Sequence, residues 1–588
     1  MKLFETFKEI RENHPDHPAF LITAGDRYVP IRWKQFTDDI AATAWVIQKY
    51  APGIPVGILG ENSYEWIVTH AACLMSGAIA VPIDPNLQAT EIARRLKFVG
   101  ARSLIYSSLY SEKASEVERI APGVACGGFG TLKTDGFLNE ARERIAKNGK
   151  TCFDGPAPDP CKVSMMVFTS GTTSEPRGVQ LTTEALQTAI ESWDELQPMK
   201  FGDRSLMMLP LNHIFGIVAA YKMLCSGVVL GVCPDFRRLY DAVERFRINF
   251  AYLVPALAEI LVSKIEKRGK SAEEALGTRI EWIATGGAPI SRRVHERLQA
   301  VGIKSIGMYG LTETCACYSA ASTSEEFAAG SAGLCVRHPK VDTRVADNGE
   351  LLVRGPNVMK GYYKMPERTV AAIDKDGWFH TGDRGRIDEK GFVWITGRMS
   401  RTIILDSGKK VAPEELEEHL LSLPGILEAL VSGDKETRKI SAEVYASIPE
   451  ETVKSEISQL NLRLPVYERI HNVIVRSEPF PRTTSGKIKL SKPVGAQQVE
   501  VGGVNRGLFA GFLKVASCTL LALGILILWL SDMIPEIIVL CGVKLSTDDA
   551  MVVSICELVG KGLLAIGGML FVWLAGKVVR QFVRRFGI

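Results

Sequence analysis

Short apolar runs, each followed by a longer stretch with helical spacing, set the rhythm of the first half of the chain. Val56-Gly-Ile-Leu-Gly60 precedes a segment starting near Ser63, and Arg102-Ser-Leu-Ile-Tyr106 and Glu281-Trp-Ile-Ala-Thr285 repeat the arrangement. Strand and helix in alternation predict α/β layers around largely parallel sheets. From about Gly333 to Ile395 the pattern changes to short strands broken by Gly/Asp/Asn turns, as in Ala346-Asp-Asn-Gly-Glu-Leu-Leu-Val-Arg354. That stretch predicts a small all-β subdomain closing a large domain over residues 1–396. Residues 397–491 read as a small α+β domain, and residues 492–506 as a flexible link.

The pattern changes once more at the C-terminal end. From Leu508 to Ser531 only Lys514 is charged; these 24 residues would span roughly 36 Å as a helix, enough to cross a bilayer. A second apolar stretch runs from about Met551 to Gly576, where Glu557 and Lys561 can neutralise each other at i and i+4. Arg506, Lys514, Lys577, Arg580, Arg584 and Arg585 flank the pair, while the connection carries Asp532, Glu536, Asp548 and Asp549 against Lys544. By the positive-inside tendency, residues 507–588 are expected to form a transmembrane helical hairpin with both ends in the cytosol. A buried helical pair in a soluble domain or oligomer interface is the alternative. The segment from Lys577 to Phe586 can continue as an amphipathic helix at anionic head groups.

Composition excludes more than it assigns. The 588 residues carry 70 basic against 66 acidic side chains, a net charge of +4, with no nucleic-acid motif, so no nucleic-acid partner is expected. The twelve cysteines are scattered without a Cys-x-x-Cys pair, which suggests neither a disulfide framework nor a zinc site and fits a reducing compartment. Cys315-Ala-Cys317 reads as small residues packed beside a neighbouring motif. Met1-Lys-Leu-Phe-Glu-Thr-Phe-Lys8 lacks the apolar region of a signal peptide, so the catalytic part is expected in the cytoplasm.

The chemistry concentrates in Phe168-Thr-Ser-Gly-Thr-Thr-Ser-Glu-Pro-Arg-Gly-Val179, which holds five hydroxyl side chains, two glycines and a cation after an apolar run. Small residues let backbone N–H groups approach phosphate oxygens, hydroxyls add donors, and Arg177 adds a charged planar fork. The Walker spacing cannot be read here. Downstream come Thr285-Gly-Gly-Ala-Pro-Ile290, Tyr309-Gly-Leu-Thr-Glu-Thr314 and Gly377-Trp-Phe-His-Thr-Gly-Asp383. With these four motifs in this order, the chain resembles the adenylate-forming superfamily from about residue 26 to about 491, most like the long-chain fatty acyl-CoA synthetases around Ile403 to Leu416.

The resemblance implies ATP-dependent activation of a carboxylic acid to an acyl-adenylate with pyrophosphate release, then transfer to a thiol. A carboxylate would have to expel oxide, so it needs a better leaving group; attack on the α-phosphate needs charge neutralisation rather than a strong base. It further implies that Thr169, Ser170, Gly171, Thr172, Thr173 and Gly178 meet the phosphates and that Arg177 neutralises the departing pyrophosphate. Gly287, Ala288 and Pro289 would line adenine, and Tyr309, beside Gly310, would stack on it. Thr312 would touch the α-phosphate, and Glu313, with Thr172, would hold Mg2+. Asp383 would accept from the ribose hydroxyls, and Arg398 would reach the same sugar. Lys487 would stabilise charge between carboxylate and α-phosphate. His213 either gates the acyl pocket or merely packs.

Ser174 replaces a usual glycine, Arg177 a usual lysine, and Ser400-Arg401 the usual hinge pair. The favoured acid is a medium- to long-chain fatty acid delivered from the membrane, and the favoured thiol is CoA, with the phosphopantetheine of an acyl carrier protein as the alternative. A membrane scaffold that kept the fold but lost catalysis is the reading from another class. Pocket walls are expected near Tyr221, Tyr252 to Leu257 and Cys315 to Ser319.

Overall fold

The computed structural model describes residues 2–24, 27–50, 53–129, 139, 142, 143, 147, 158–169, 176–194, 199–233, 236–269, 271–288, 290–316, 318–320, 331–405, 409–433, 439–481 and 488. The chain divides into two units, Met1–Pro493 and Val494–Ile588. The expected hairpin of residues 507–588 and the link before it lie outside the described residues. Among the described residues no helix is long and apolar enough to cross a membrane.

Three sheets of the first unit share one plan, a parallel centre with an antiparallel edge. The seven-stranded sheet runs, in spatial order, Gly361–Tyr362, Arg177–Thr182, Val163–Thr169, Ile79–Ile83, Pro55–Leu59, Ser103–Tyr106 and Ala125–Gly128. Its strands from Val163–Thr169 onward are parallel, while Arg177–Thr182 and Gly361–Tyr362 run antiparallel. The five-stranded sheet sets Phe250–Leu253, Trp282–Thr285 and Lys304–Tyr309 in parallel, then adds Ser319–Ala320 and Leu334–Cys335 antiparallel. Arg204–Met207, Val229–Val232 and Pro18–Ala24 are parallel in a four-stranded sheet edged by Arg27–Arg32.

Local sequence explains the helices between them. Tyr64–Ser76 starts where the Ser63 hydroxyl accepts from Trp66 N and ends at Gly77, whose φ of 77° suits a residue without Cβ. Every residue of this helix except Glu65 is buried, so it reads as an apolar run and lies between layers.

The stretch expected to be all-β departs from that expectation. A four-stranded antiparallel sheet forms from Asp342–Val345, Glu350–Arg354, Phe379–Ile387 and Val393–Arg398. Gly361–Tyr362 leaves it for the seven-stranded sheet, and a helix, Pro366–Ala372, is inserted behind it. Pro366 opens that helix because its fixed φ and missing N–H cost nothing in a first turn. Beyond Arg398 a separate apolar core gathers Leu416, Leu420, Val431, Ile440, Val444, Val453 and Ile457 under the sheet of Ile426–Gly433, Ile440–Ala446 and Ile470–Arg476. Arg401 is clasped there by Glu414 at 3.0 Å and Glu417 at 2.6 Å.

Candidate active site

The motifs sit where parallel strands end. Val163–Thr169 runs into the phosphate-loop sequence, Trp282–Thr285 into Gly286-Gly287, and Lys304–Tyr309 into the turn Thr312–Thr314. Carboxyl ends of parallel strands are where open α/β sheets bind ligands.

Two clusters form there. In the first, the ladder sets Thr169 opposite Arg177, closing the loop between them, and Tyr362 opposite Val179. The Tyr362 hydroxyl donates to Glu313 Oε1 at 2.9 Å, and Met359 N donates to Glu313 O at 2.8 Å. Burial and then the Glu313 charge push the Tyr362 hydroxyl well above its ordinary pKa, against the pull of Arg177 beside it. Arg177 Nε is buried without a hydrogen-bond partner among the described residues. A buried guanidinium donor left open is costly unless an acceptor arrives, which is what a phosphate oxygen supplies.

In the second cluster the antiparallel register places Asp383 opposite Arg398. Arg398 Nε lies 2.7 Å from Asp383 Oδ1, and the Tyr309 hydroxyl donates to Oδ2 at 2.5 Å. Arg398 also donates to Thr381 O at 3.2 Å. Asp383 is 3% exposed, and burial followed by its charge pushes the Tyr309 hydroxyl well up. Tyr309 ends the strand Lys304–Tyr309 and Glu313 lies in the turn that follows it, so the clusters adjoin. Cys315 and Ala316 leave that turn with φ of 53° and 57°, a left-handed pair of the strained kind that concentrates at functional sites.

Of the remaining expected residues, Thr312 lies half-buried in the turn with Glu313, and Gly310 is exposed. Gly287 is exposed with φ of 81°, next to half-buried Ala288. Gly178 is a ladder residue, buried with Phe168 and Tyr363 beside it. His213 precedes the helix Ile214–Cys225, whose Phe215 ring stands 3.0 Å from where a Cβ on Gly286 would be. Ser170, Gly171, Thr172, Thr173, Ser174, Pro289 and Lys487 lie outside the described residues.

A small cavity beside that helix is lined by Leu206, Met208, Gly216, Ala219, Met223 and Tyr252 among others. Tyr252 lines this cavity and Tyr221 does not. Tyr221 is fully buried, 2.9 Å from His70 Nδ1 through its hydroxyl and stacked on Phe7. An aromatic on an apolar helix face gives the same pattern whether it faces core or cavity. Sequence reasoning also missed Tyr362; its place in the two-residue strand Gly361–Tyr362 carries no signal until strand pairing brings it to Glu313.

Fold and site together define an α/β enzyme with Arg177, Tyr362 and Glu313 gathered beside the buried Asp383 carboxylate. The chain belongs to the AMP-binding enzyme family, whose model matches residues 7–363. It is 29% identical over 459 residues to an indoleacetate–CoA ligase of Aromatoleum aromaticum, covering 74% of this chain and 86% of that protein. It is 28% identical over 456 residues to the long-chain-fatty-acid–CoA ligase FadD13 of Mycobacterium tuberculosis, covering 74% and 87%. Among solved structures, ATP-bound MatB from Rhodopseudomonas palustris superposes with a TM-score of 0.72 at 23% identity, over 83% of this chain and 96% of that one.

Proposed function

We propose that this enzyme activates a carboxylic acid with ATP, forming an acyl-adenylate and pyrophosphate, and then transfers the acyl group to the thiol of CoA. The observation that carries the reading is the adjacency of the two clusters: Arg177, Tyr362 and Glu313 on one side, and Asp383, Tyr309 and Arg398 on the other. Asp383 accepts from the ribose hydroxyls, and Arg398 holds that carboxylate in place. Arg177 neutralises the departing pyrophosphate through the fork whose Nε has no hydrogen-bond partner among the described residues. Glu313, steadied through Oε1 by Tyr362, fits a divalent cation and would hold magnesium. Held there, magnesium would supply positive charge that lowers the repulsion an anionic acid meets. Lys487 brings a further cation to the carboxylate and α-phosphate in this reading.

The acid carries an apolar body, and a medium- to long-chain fatty acid is the first candidate. The likeness to a ligase named for long-chain fatty acids supports it. We further place residues 507–588 in a membrane, on sequence grounds, with the catalytic domains on its cytoplasmic face; a tethered site samples bilayer-dissolved acids at high local concentration. The test is pyrophosphate release by the purified chain across a series of acids from acetate to stearate, with indoleacetate and 4-coumarate alongside, each with and without CoA. A rate that peaks in the fatty series and yields acyl-CoA supports the reading. A peak on the aromatic acids would reassign the substrate, and no release with any acid would reject the activity.

A further inference from the structure

Asp383 is not presented by regular ladder geometry. Between the pairs Glu350↔Arg384 and Leu352↔His380, three residues, Thr381, Gly382 and Asp383, oppose Leu351 alone. Such a bulge re-aims a side chain but takes backbone groups out of the ladder. Gly382 takes φ of 70°, and its N–H is satisfied by Glu350 Oε1 at 2.9 Å. The Thr381 hydroxyl donates to Leu351 O at 2.7 Å and accepts from Asp383 N at 3.0 Å. Glu350 Oε2 lies 2.9 Å from His380 Nδ1, and the other ring nitrogen of His380 faces Asp374 at 3.7 Å. Glu350 is itself only 8% exposed. A buried carboxylate is costly without partners, and this one spends both oxygens on the segment that carries Asp383.

We propose that Glu350 is a positioning residue of the nucleotide site: by gripping Gly382 N and His380 it fixes the bulge that aims Asp383 at the ribose. This rests on the reading of Asp383 as the ribose acceptor. Without the grip, the half-buried Gly382 N–H loses its partner, and its neighbour Asp383 loses the fixed direction that a hydroxyl–carboxylate bond requires.

The experiment compares kcat/KM for ATP with kcat/KM for 2′-deoxy-ATP and 3′-deoxy-ATP in the full chain. The native enzyme is expected to lose at least about tenfold on removal of a hydroxyl, the scale of one hydrogen bond to a charged group. In Glu350→Ala that ratio is expected to fall toward one, because with Asp383 no longer aimed at the sugar the hydroxyl that each analogue lacks contributes nothing to ATP either. Glu350→Gln is expected to retain the discrimination: its amide oxygen accepts from Gly382 N and its NH2 donates to His380 Nδ1. If Glu350→Ala does not fold, Glu350→Asp, one methylene short of both partners, decides by the same ratio. A uniform loss of rate with the native discrimination intact in Glu350→Ala, or in Glu350→Asp where the alanine variant does not fold, would overturn the proposal and leave Glu350 a structural residue. A native enzyme indifferent to both deoxy analogues would remove the ribose role of Asp383 itself, and this proposal with it.

Discussion

Replacing Tyr362 with Phe deletes one oxygen from the middle of the phosphate corner. That hydroxyl donates to Glu313 at 2.9 Å and lies beside Arg177, so its loss frees the carboxylate to rotate and removes a neighbour of the guanidinium. A hydrogen bond to a charged group contributes about 1.5–3 kcal/mol. Tyr362 is half-buried, so the lower end applies, and ~1.5 kcal/mol is about a tenfold change in an equilibrium constant. The bond's contribution is felt when Glu313 must hold a cation, so the loss should appear in the magnesium dependence. Initial rates of pyrophosphate release at fixed ATP should need about tenfold more magnesium for half-maximal activity, with most of kcat recovered at saturation. The thermal midpoint should hardly move, because Phe fills the same volume. An unchanged magnesium midpoint, or a rate loss that magnesium cannot repair, would refute the link from Tyr362 through Glu313 to the metal.

Lys487→Ala should abolish adenylate formation and spare transfer from a supplied acyl-adenylate to CoA; equal loss of both steps would contradict its role in the first. His70 is fully buried, and burial holds its pKa down from 6.5 to about 3. Because the folded pKa is depressed, stability is full above 6.5 and declines as pH falls toward 3, by about 2 kcal/mol at pH 5 relative to pH 7. His70→Gln should therefore take up about one proton fewer on unfolding at pH 5, measured from the pH dependence of denaturation, and an unchanged slope would place the titration elsewhere. Gly216→Ala would set a Cβ 2.3 Å from Pro210 O and 3.0 Å from Leu209 O, backbone atoms that cannot swing aside. It should cost about 2 kcal/mol or more, read as a fall in denaturation midpoint, and a midpoint equal to the native one would show that the helix start can shift freely.

Much of the architecture was written in the local sequence because its causes are local. Ser63 caps a helix through its own hydroxyl, and the runs around Val56, Leu104 and Ile283 become parallel strands with buried centres because they are mostly apolar. Asp383 and Arg398 could be named from their motifs, and antiparallel register then sets them opposite each other. Glu350 could not be named in this way. Its partners lie 30 and 32 residues away in sequence, and only the bulge brings them to its carboxylate. Tyr362 was hidden for the same reason, since its strand leaves its own subdomain to pair in another sheet. For Tyr221, periodicity locates the apolar face of its helix without saying whether core or cavity covers it. The helix Pro366–Ala372 was legible in principle from Pro366, but turn-rich sequence around it outweighed that signal.

The central claim is that the two adjoining clusters let an organic acid displace pyrophosphate from ATP. Acid-dependent exchange of labelled pyrophosphate into ATP, without CoA, measures that step alone. Exchange that requires an acid, rises along the fatty series and vanishes in Asp383→Ala is the predicted result. A preparation that binds ATP yet exchanges nothing with any acid offered, or exchanges equally well without Asp383, would contradict it.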